Sequence, residues 1–448
     1  MNESDSQFIA ERARSAGYTV VDRPIDASVV VVNTCTVRDN AETRAYGRIG
    51  HLKLLKDRNP SVRLVVTGCL AEQDRDRMQR MVPHVDAVFG TQELSRLSET
   101  IARWRGEFLD APDADTEDEA LLLPLGGTAD GVTDAYSHLR AFVTVQRGCS
   151  YYCTFCIVPH VRGRFDHRPI GDILGEVRRR VAEGALEITL VGQTVNAYKD
   201  PGGDSDFADL LARTAEIPGV ERLTFVTSHP KDFTAKLVRT LATVAKINPR
   251  LHLPMQSGSN PVLRKMNRKY TIEEYRAKID LFREHCAGWS LSTDLIVGFP
   301  GETDEDFART LDVCGEIGFA QAFTFVYSPR RGTPAARWAQ IPAEVGGARL
   351  RELASVVDES ATAFHRTKLG TVVRALIVGP SRKDRSKLAA RTIDNITVIA
   401  PDADGQEPWL DIQIEGAHRW GCTGTIVGRS ATFEGRARAV QLPVFDLI

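Results

Sequence analysis

Between Ala141 and Tyr327, six short apolar runs alternate with stretches of helical periodicity, and this alternation limits the possible fold more than any other feature of the chain. The predicted strands are Ala141–Val145, Glu187–Val191, Arg222–Val226, Leu251–Leu253, Ser290–Val297 and Ala322–Tyr327. The predicted helices between them include Ile170–Ala182, Phe207–Glu216, Phe233–Val244, Ile272–His285 and Glu305–Ile317. Repeated strand–helix units of about 35 residues are typical of a parallel sheet. Because there are six units rather than eight, we expect an open, partial (β/α)6 barrel.

Three cysteines follow the first predicted strand of this barrel. Cys149, Cys153 and Cys156 form a C-x3-C-x2-C triplet within the segment 147–164, RGCSYYCTFCIVPHVRGR. Functional residues of parallel barrels collect on the loops after the strands. Three neighbouring thiolates can hold three corners of one [4Fe–4S] cluster, which normally takes four cysteines, so one iron stays open. This spacing is similar to that of radical S-adenosylmethionine (SAM) enzymes, in which the open iron chelates SAM.

A zinc knuckle with His160 as the fourth ligand is the alternative interpretation of the triplet, since zinc accepts three cysteines and one histidine. The barrel that follows suits a cofactor enzyme better than a structural finger. Cys286, Cys314 and Cys422 lack partners at metal-binding spacing, which predicts small buried hydrophobic side chains.

Polar residues also follow the later strands of the predicted barrel. Gln193, Asn196, Asp294 and Glu302 are candidates to hydrogen-bond the amino, ribose and carboxylate groups of SAM. Each of them alone is more often a strand-end or helix cap, so the prediction depends on the set. His229 precedes Pro230 and is assigned no catalytic role.

Residues 1–108 predict a small doubly wound α/β domain. The runs Ser28–Val32, Arg63–Val66 and Val85–Phe89 are typical of buried parallel strands, and Asp39–Asp57 has the spacing of a covering helix. Cys35 and Cys69 come just past the first two of these strands, at the edge where ligands of open sheets gather. Two buried core cysteines would be equally ordinary, but their matching positions favour a shared metal site.

A linker and a third domain complete the predicted organisation. Residues 109–135 form an acidic linker, in which 110–120 (DAPDADTEDEA) is expected to be solvated and mobile. Residues 136–366 hold the partial barrel and a connecting helix. Residues 367–435 predict a small antiparallel barrel with strands Val372–Ile377, Ala389–Thr392, Thr397–Ile399, Trp409–Ile414 and Gly424–Val427. Barrels of this size often bind single-stranded nucleic acid, and the basic loop 382–387 suits either phosphates or plain solvent exposure.

The overall charge and the cysteine content narrow the class of protein. With 57 basic and 59 acidic residues, the chain has no general signature of a nucleic-acid binder. No run of 18 apolar residues predicts a membrane span, and the start MNESDSQF does not resemble a signal peptide. Eight cysteines in this chain indicate metal binding in a reducing compartment rather than a disulfide scaffold, so we expect a cytoplasmic protein.

Together these motifs resemble the methylthiotransferase family of radical SAM enzymes, and within it the MiaB-type tRNA 2-methylthio-N6-isopentenyladenosine synthases. The resemblance covers almost the whole chain. Its motifs are NTCTVRDNAE (33–42), TGCLAEQ (67–73), GTQEL (90–94), the cysteine triplet, LVGQTVNAY (190–198), TSHPKDF (227–233), LHLPMQSGS (251–259), STDLIVGFPGET (292–303), FTFVYSPRRGTPAA (323–336) and ART (390–392). Three of them, LVGQTVNAY, TSHPKDF and LHLPMQSGS, are less similar to the branches that act on threonylcarbamoyladenosine or on a ribosomal-protein aspartate.

The resemblance implies two [4Fe–4S] clusters and SAM as cofactors. Cys149, Cys153 and Cys156 would hold the cluster that converts SAM to a 5′-deoxyadenosyl radical, and that radical would take hydrogen from C2 of the modified adenine beside the anticodon. Cys35 and Cys69 would hold an auxiliary cluster that delivers sulfur, while a second SAM supplies the methyl group. The implied architecture is an N-terminal doubly wound α/β domain, a central partial (β/α)6 radical SAM barrel and a C-terminal small β-barrel of the RNA-binding TRAM type. The implied partners are the tRNA anticodon loop and an electron donor such as flavodoxin or ferredoxin, with a monomeric enzyme and no membrane.

The sequence departs from the family at its start. The family opens with a strand ending in Gly-Cys-x-Met-Asn, whose cysteine is the third auxiliary ligand, and Met1–Asn2 aligns with the Met-Asn of that motif. We expect the reading frame to extend upstream and to supply both the strand and the cysteine. With two thiolates only, sulfur insertion would be in doubt. The alternatives are a methylthiotransferase for a ribosomal protein or for threonylcarbamoyladenosine, and a non-catalytic RNA-binding iron–sulfur protein.

Overall fold

A computed structural model describes residues 2–433 apart from 22, 36–38, 110–119, 123–135, 382 and 402–406. The strands are β1 (Thr19–Val21), β2 (Val29–Thr34), β3 (Arg63–Gly68), β4 (Ala87–Phe89), β5 (Ala120–Leu122), β6 (Arg140–Thr144), β7 (Gln146–Arg147), β8 (Asp166–His167), β9 (Glu187–Val191), β10 (Arg222–Phe225), β11 (Arg250–His252), β12 (Ser290–Val297), β13 (Gln321–Val326), β14 (Val372–Pro380), β15 (Lys387–Thr392), β16 (Thr397–Pro401), β17 (Trp409–His418) and β18 (Gly421–Ser430). The helices are α1 (Asn2–Ser15), α2 (Asp39–Arg58), α3 (Cys69–Gln73), α4 (Arg75–Met81), α5 (Leu94–Leu109), α6 (Val158–Arg162), α7 (Ile170–Ala182), α8 (Phe207–Ala215), α9 (Ala235–Thr243), α10 (Asn260–Lys265), α11 (Ile272–His285), α12 (Asp304–Ile317) and α13 (Ala343–Arg366). Of these helices, none combines the length and the apolar character that crossing a bilayer requires.

The first sheet is parallel, with the strand order β1-β5-β2-β3-β4. Helices cover both of its faces, which explains why its central strands are continuous β-branched runs. One face packs Val29 and Val31 against α1 and α5, and the other packs Val30 and Val32 against α2, α3 and α4. The three strands predicted for this domain are confirmed as β2, β3 and β4, and the predicted helix is confirmed as α2.

The strand β5 differs from the prediction, because it comes from the segment expected to be a linker. Ala120–Leu122 pairs in parallel with β1 on one side and with β2 on the other. The resulting sheet has the flavodoxin-like order, with β5 in the place of a strand that would precede α1. Without β5, the facing edges of β1 and β2 would leave backbone hydrogen-bonding groups unpaired. The acidic run 110–119, predicted to be mobile, lies outside the described residues.

The central domain contains the six predicted strands in two parallel sheets of three. These sheets have the orders β10-β9-β6 and β11-β12-β13, and the predicted strand ends agree with the structure to within one residue. Backbone hydrogen bonds of Leu223 with Lys246 and Asn248 connect the two sheets. The predicted partial barrel is confirmed.

Alternate residues of the barrel strands face opposite sides, as the pleat requires. The apolar positions point outward and pack under helices α7 to α12, for example Ile188, Leu190 and Leu223. The intervening positions line the inside of the barrel and are mostly polar: Arg140, Thr144, Glu187, Thr189, Arg222, Thr224, Arg250, His252, Ser292 and Asp294. This interior is unusual, because closed parallel barrels fill theirs with bulky apolar side chains. A polar interior suits a binding site.

The C-terminal domain is a closed barrel with the strand order β14-β15-β16-β18-β17, and all five of its predicted strands are present. It docks on the amino ends of the central strands. The Arg222 guanidinium donates to the carbonyls of Arg391 and Thr392 at 2.9 and 2.7 Å, and the Ser290 hydroxyl donates to the Asp394 carbonyl at 2.7 Å. Because the central strands are parallel, this docking face lies at the opposite end of the barrel from the loops that follow the strands. In the basic loop, Lys383 and Arg385 are exposed, and residue 382 lies outside the described part of the chain.

Candidate metal centre

The cysteine triplet lies on a tightly closed loop between β7 and α6. Gly148 has a φ of +71°, and a Cβ atom there would lie 1.9 Å from the Arg164 carbonyl oxygen. The loop can therefore close only on a glycine. The Cys149 amide donates to the Gly163 carbonyl at 3.0 Å, which joins the two ends of the loop.

The three thiols of the triplet lie within electrostatic range of one another. Cys153 is buried, whereas Cys149 and Cys156 are half-buried. Burial raises the pKa of Cys149, and it raises the pKa of Cys156 to about 12, with the neighbouring Cys153 adding to both shifts. Free thiols in this setting hold their protons at neutral pH. A metal group that binds them as thiolates releases those protons and supplies the positive charge that the loop lacks.

Arg268 places a buried cation against the triplet. Its Nη1 donates to Cys153 Sγ at 3.5 Å, and its Nη2 donates to the Pro254 carbonyl at 3.2 Å. The Tyr270 ring lies under the guanidinium, with 5.4 Å between Cζ and the ring centroid. A fixed positive charge next to sulfur favours thiolate ligands and an anionic cluster. Sequence reasoning missed this residue, because nothing in the local pattern around Arg268 points to a cysteine 115 positions away.

Two of the four residues predicted to contact SAM are used by the fold itself. Both ends of the Asn196 amide bond the backbone of His229, each at 2.8 Å, and so tie together the loops after β9 and β10. The Glu302 side chain is 0% exposed and accepts from the Gly298 amide and from Arg349 Nη1, each at 2.7 Å. These contacts give both residues a structural role, which is common for a polar residue at a strand end. Glu302 Oε1 still has no partner among the described residues, and contact of either residue with SAM stays a prediction.

The other two predicted SAM contacts remain candidates. Gln193 is half-buried after β9, and its Oε1 has no hydrogen-bond partner in the described part of the chain. Asp294 lies on β12 inside the barrel, 3.4 Å from His252 Nε2. Both side chains have acceptor atoms that a bound cofactor can use, so their contact with SAM stays a prediction.

His229 adds a donor that the sequence did not indicate. Its ring lies 4.4 Å from the Tyr151 ring, next to the triplet, and its Nδ1 accepts from the Lys231 amide at 3.1 Å. The ring proton therefore sits on Nε2, which has no partner among the described residues. Burial lowers the pKa of His229 to about 2, and the nearby cations Arg268 and Lys231 add to this shift. The imidazole is neutral at physiological pH.

Cys35 and Cys69, which follow the neighbouring strands β2 and β3, make up the second sulfur site, and a metal shared between them stays a prediction. Gly68 has a φ of +100°, and a Cβ atom there would lie 2.2 Å from the Thr34 carbonyl oxygen, so the ends of β2 and β3 approach closely. Cys69 is buried and packs against Val161 of α6 and Ile157, the residue just before α6. Burial raises the pKa of Cys69, and Cys35 adds to the shift, which places the two sulfurs within electrostatic range of each other.

One short helix, α6, separates the two sulfur sites, and Arg162 at its end serves the second. Its Nε donates to Cys69 Sγ at 3.3 Å, and its Nη2 donates to Asp5 Oδ2 at 2.8 Å. Arg147 Nη1 donates to the other Asp5 oxygen at 3.0 Å. The side chains of Arg162 and Asp5 are each 4% exposed. Each sulfur site therefore has one buried guanidinium on one of its cysteines.

The residues present fit a cluster better than a single ion. In the described ranges, no three His, Cys, Asp or Glu side chains converge closely enough to hold one metal ion. His160, the fourth ligand in the zinc interpretation, is exposed. Ligands of a cluster bind different irons, so they need not converge on one point. The triplet offers three thiols for such a cluster, and Cys35 with Cys69 offers two at the second site, so their role as ligands stays a prediction.

Comparison with known proteins finds a family match for the first domain and another for the barrel domain. The Radical SAM superfamily matches residues 143–314, and the Uncharacterized protein family UPF0004 matches residues 1–90. The tRNA-2-methylthio-N(6)-dimethylallyladenosine synthase of Ralstonia nicotianae is 41% identical over 452 residues, which cover 95% of this chain and 95% of that protein. This chain belongs to the tRNA-2-methylthio-N(6)-dimethylallyladenosine synthase family. The synthase of the same name from Clostridium novyi is 39% identical over 434 residues, covering 95% of this chain and 94% of that one.

The assignment to this synthase family confirms the resemblance seen in the sequence motifs. A solved structure supports the fold. The radical SAM methyltransferase TsrM from Kitasatospora setae, with tryptophan and a SAM analogue bound, aligns with a TM-score of 0.52 at 16% identity. The alignment covers 75% of this chain and 72% of that one. Because the identity is low, the likeness concerns the fold alone.

Proposed function

We propose that this chain adds a methylthio group to C2 of N6-isopentenyladenosine beside the anticodon of tRNA, using radical SAM chemistry. The observation that carries the proposal is the identity of 41%, over 95% of both chains, to a synthase that is named for this activity. The cysteine triplet at the mouth of a polar, open barrel supports it, because that is where a parallel barrel performs chemistry. Cys149, Cys153 and Cys156 are the proposed ligands of the [4Fe–4S] cluster, which when bound supplies the electron that cleaves SAM.

The residues around the triplet have proposed roles in holding the cofactor. Arg268 stabilises the negative charge on Cys153 through its hydrogen bond to the sulfur. Gln193 and Asp294 accept hydrogen bonds from SAM, and the neutral His229 donates one from Nε2. Gln193 Oε1 and His229 Nε2 are buried atoms that lack partners within the described chain, and such atoms are costly unless something bonds them.

The inside of the barrel is proposed to receive the adenine. A base inside a stacked loop is out of reach, so it must swing out into the barrel. Phe323 on β13 is 40% exposed, and its ring centroid lies 6.0 Å from that of His252. An exposed aromatic ring on this side is a stacking surface for an unstacked base.

The second sulfur site and the partners complete the proposal. Cys35 and Cys69 supply two thiolates of an auxiliary cluster that donates sulfur, with Arg162 fixed on Cys69. The C-terminal barrel binds the tRNA. We place the enzyme in the cytoplasm as a monomer, with reduced flavodoxin or ferredoxin as its electron donor.

Nucleoside mass spectrometry of tRNA tests the proposal. A strain that lacks the gene should accumulate N6-isopentenyladenosine without the methylthio group, and the parent gene should restore the methylthiolated form. Cys156→Ala should fail to restore it, whereas Cys286→Ala, a matched change at a buried cysteine of the core, should restore it. Restoration by Cys156→Ala would refute the cluster assignment. Changes confined to threonylcarbamoyladenosine or to a ribosomal protein would favour those alternatives.

A second experiment separates the enzyme from a non-catalytic RNA-binding protein. Anaerobically reconstituted chain, incubated with SAM and dithionite, should release 5′-deoxyadenosine. The Cys156→Ala chain should release none. Absence of the product from the parent chain would favour the non-catalytic alternative.

A further inference from the structure

The amino ends of the barrel strands carry a layer of arginines. Arg140, Glu187 and Arg222 stand side by side in register on β6, β9 and β10. Arg250 on β11 continues this layer, and Arg391 enters it from the C-terminal barrel. Glu187 pairs with Arg222 at 2.7 Å. One carboxylate of the layer thus accompanies four guanidinium groups.

Arg250 and Arg391 share a cavity of about 40 Å³ between the amino ends of β11–β13 and the C-terminal barrel. A single water needs roughly 10–15 Å³, so a larger polar group has room. Its other lining residues include Ser292, Gln321 and the exposed Trp420 at the rim. The cavity lies at the opposite end of the barrel from the cysteine triplet, and it has no part in the proposed reaction.

The two arginines of this cavity have no carboxylate of their own. Arg250 Nε donates to Thr224 Oγ1 at 3.0 Å, and its Nη groups donate to no atom of the described residues. Arg391 Nη1 reaches only the carbonyl and the side-chain oxygen of Asn395, at 3.5 and 3.4 Å. These distances are at the limit of a hydrogen bond. The Gln321 side chain lines the same cavity.

The acidic residue of the cavity wall is already neutralised, since Asp394 pairs with Lys368 at 2.6 Å. Burial lowers the pKa of Arg250 to about 10, and the positive charges of Arg222 and Arg391 add to the shift. Burial also lowers the pKa of Arg391, again with help from Arg222. A pair of half-buried guanidinium groups under mutual repulsion is costly unless an anion joins them.

We propose that this cavity binds one oxyanion of the phosphate class, held by Arg250, Arg391 and the amide of Gln321. Guanidinium groups offer planar pairs of donors that match the oxygens of a phosphoryl group. The phosphoryl group is either free inorganic phosphate or one phosphodiester of an RNA backbone that passes over the rim. The proposal does not depend on the methylthiotransferase reaction.

Thermal unfolding of the full-length chain in phosphate, sulfate and chloride at equal ionic strength tests the site. Phosphate and sulfate should raise the unfolding midpoint progressively with concentration, as a ligand of the folded state does, and chloride should not. Arg250→Gln and Arg391→Gln should lose this response. Arg239→Gln, a matched change at an exposed arginine of α9, should keep it.

The stability of the variants without phosphate distinguishes this site from a merely structural one. Each change removes one positive charge from a site with an excess of positive charge. The Arg250→Gln and Arg391→Gln variants should therefore unfold at midpoints equal to or above that of the parent. Midpoints clearly below the parent, or a phosphate response that survives in both variants, would overturn the proposal.

Binding of a labelled anticodon stem–loop distinguishes the two sources of the phosphoryl group. If the group belongs to RNA, phosphate should compete, and Arg391→Gln should reduce the slope of log affinity against log salt by about one. If it is free phosphate, the affinity for RNA should be equal in parent and variant while phosphate still stabilises the parent. An unchanged slope together with no stabilisation of the parent by phosphate or sulfate would overturn the proposal.

Discussion

The buried carboxylate of Asp5 holds the first helix against β7 and α6, the two elements that flank the cysteine triplet, and replacing it with asparagine tests this role. Asp5 accepts from Arg147 and Arg162 at 3.0 and 2.8 Å. Removing one partner of a buried ion pair typically costs about 3–5 kcal/mol, because the other charge stays buried. The asparagine oxygen can still accept one hydrogen bond, so we expect the lower figure, about 3 kcal/mol. That energy corresponds to roughly a hundredfold change in an equilibrium constant.

Native-state hydrogen exchange of the α1 amides measures this effect locally, which matters in a chain of several domains. Asp5→Asn should lower the opening free energy of α1 by about 3 kcal/mol. The control is Asp26→Asn, which removes an equally close pair with Arg23 at 2.7 Å, where the two side chains are 38% and 73% exposed. Exposed pairs contribute little, so this change should leave exchange unaltered. If the α1 amides of Asp5→Asn exchange as slowly as those of the parent, the reasoning about the buried pair is wrong.

Three further predictions follow from single contacts. Urea titrations should show that lowering the pH from 6.5 to 5 reduces the free energy of unfolding by about 2 kcal/mol more for the parent than for His229→Asn. The reason is that the imidazole takes up a proton in the unfolded chain, whereas the buried imidazole, with its pKa lowered to about 2, stays neutral. Arg268→Met should lower the reduction potential of the triplet's cluster in EPR-monitored redox titrations by about 59 mV, the equivalent of one lost hydrogen bond worth about 1.4 kcal/mol. Gly68→Ala should lower the free energy of unfolding in urea by more than about 1 kcal/mol, because the φ of +100° and a backbone oxygen 2.2 Å from the Cβ position leave no room for the methyl group. Gly47→Ala, whose Cβ would meet no atom within 4 Å, should stabilise α2 by about 0.5–1 kcal/mol.

Each of these predictions has an outcome that contradicts it. Parallel pH profiles for the parent and His229→Asn would mean that the buried imidazole is protonated. An unchanged potential in Arg268→Met would mean that the guanidinium does not influence the cluster. Equal effects of alanine at Gly68 and Gly47 would mean that the close approach of β2 and β3 is not maintained in solution.

The elements with a strong period were predictable from sequence, and those decided by distant contacts were not. The barrel strands alternate apolar and polar residues regularly, so their ends were placed to within one residue. Cys35 and Cys69 come together because each follows one of two neighbouring parallel strands, a rule that needs only the sequence. The strand β5 has three residues, and its place is set by a slot that exists only once β1 and β2 are in position.

Side-chain orientation is the other feature that could not be predicted from the sequence. A polar residue after a strand either faces the cavity or ties two loops together, and the type of residue does not distinguish the two cases. Asn196 and Glu302 tie parts of the structure together, yet Glu302 Oε1, like Gln193 Oε1, has no hydrogen-bond partner among the described residues, so contact of all four predicted residues with SAM stays a prediction. The contacts of Arg162 and Arg268 with cysteine sulfurs could not be predicted either, because their partners lie far away in the sequence.

The docking of the C-terminal barrel at the amino ends of the central strands sets its distance from the loops at their carboxyl ends. Glu187 and Val191 mark the two ends of β9, and four residue steps at 3.3 Å each separate them by about 13 Å. This length also separates the C-terminal barrel from the loops that follow the strands and carry the cysteine triplet. If the C-terminal barrel holds the tRNA, as proposed, its contact with the tRNA and the reacting base must be at least this far apart.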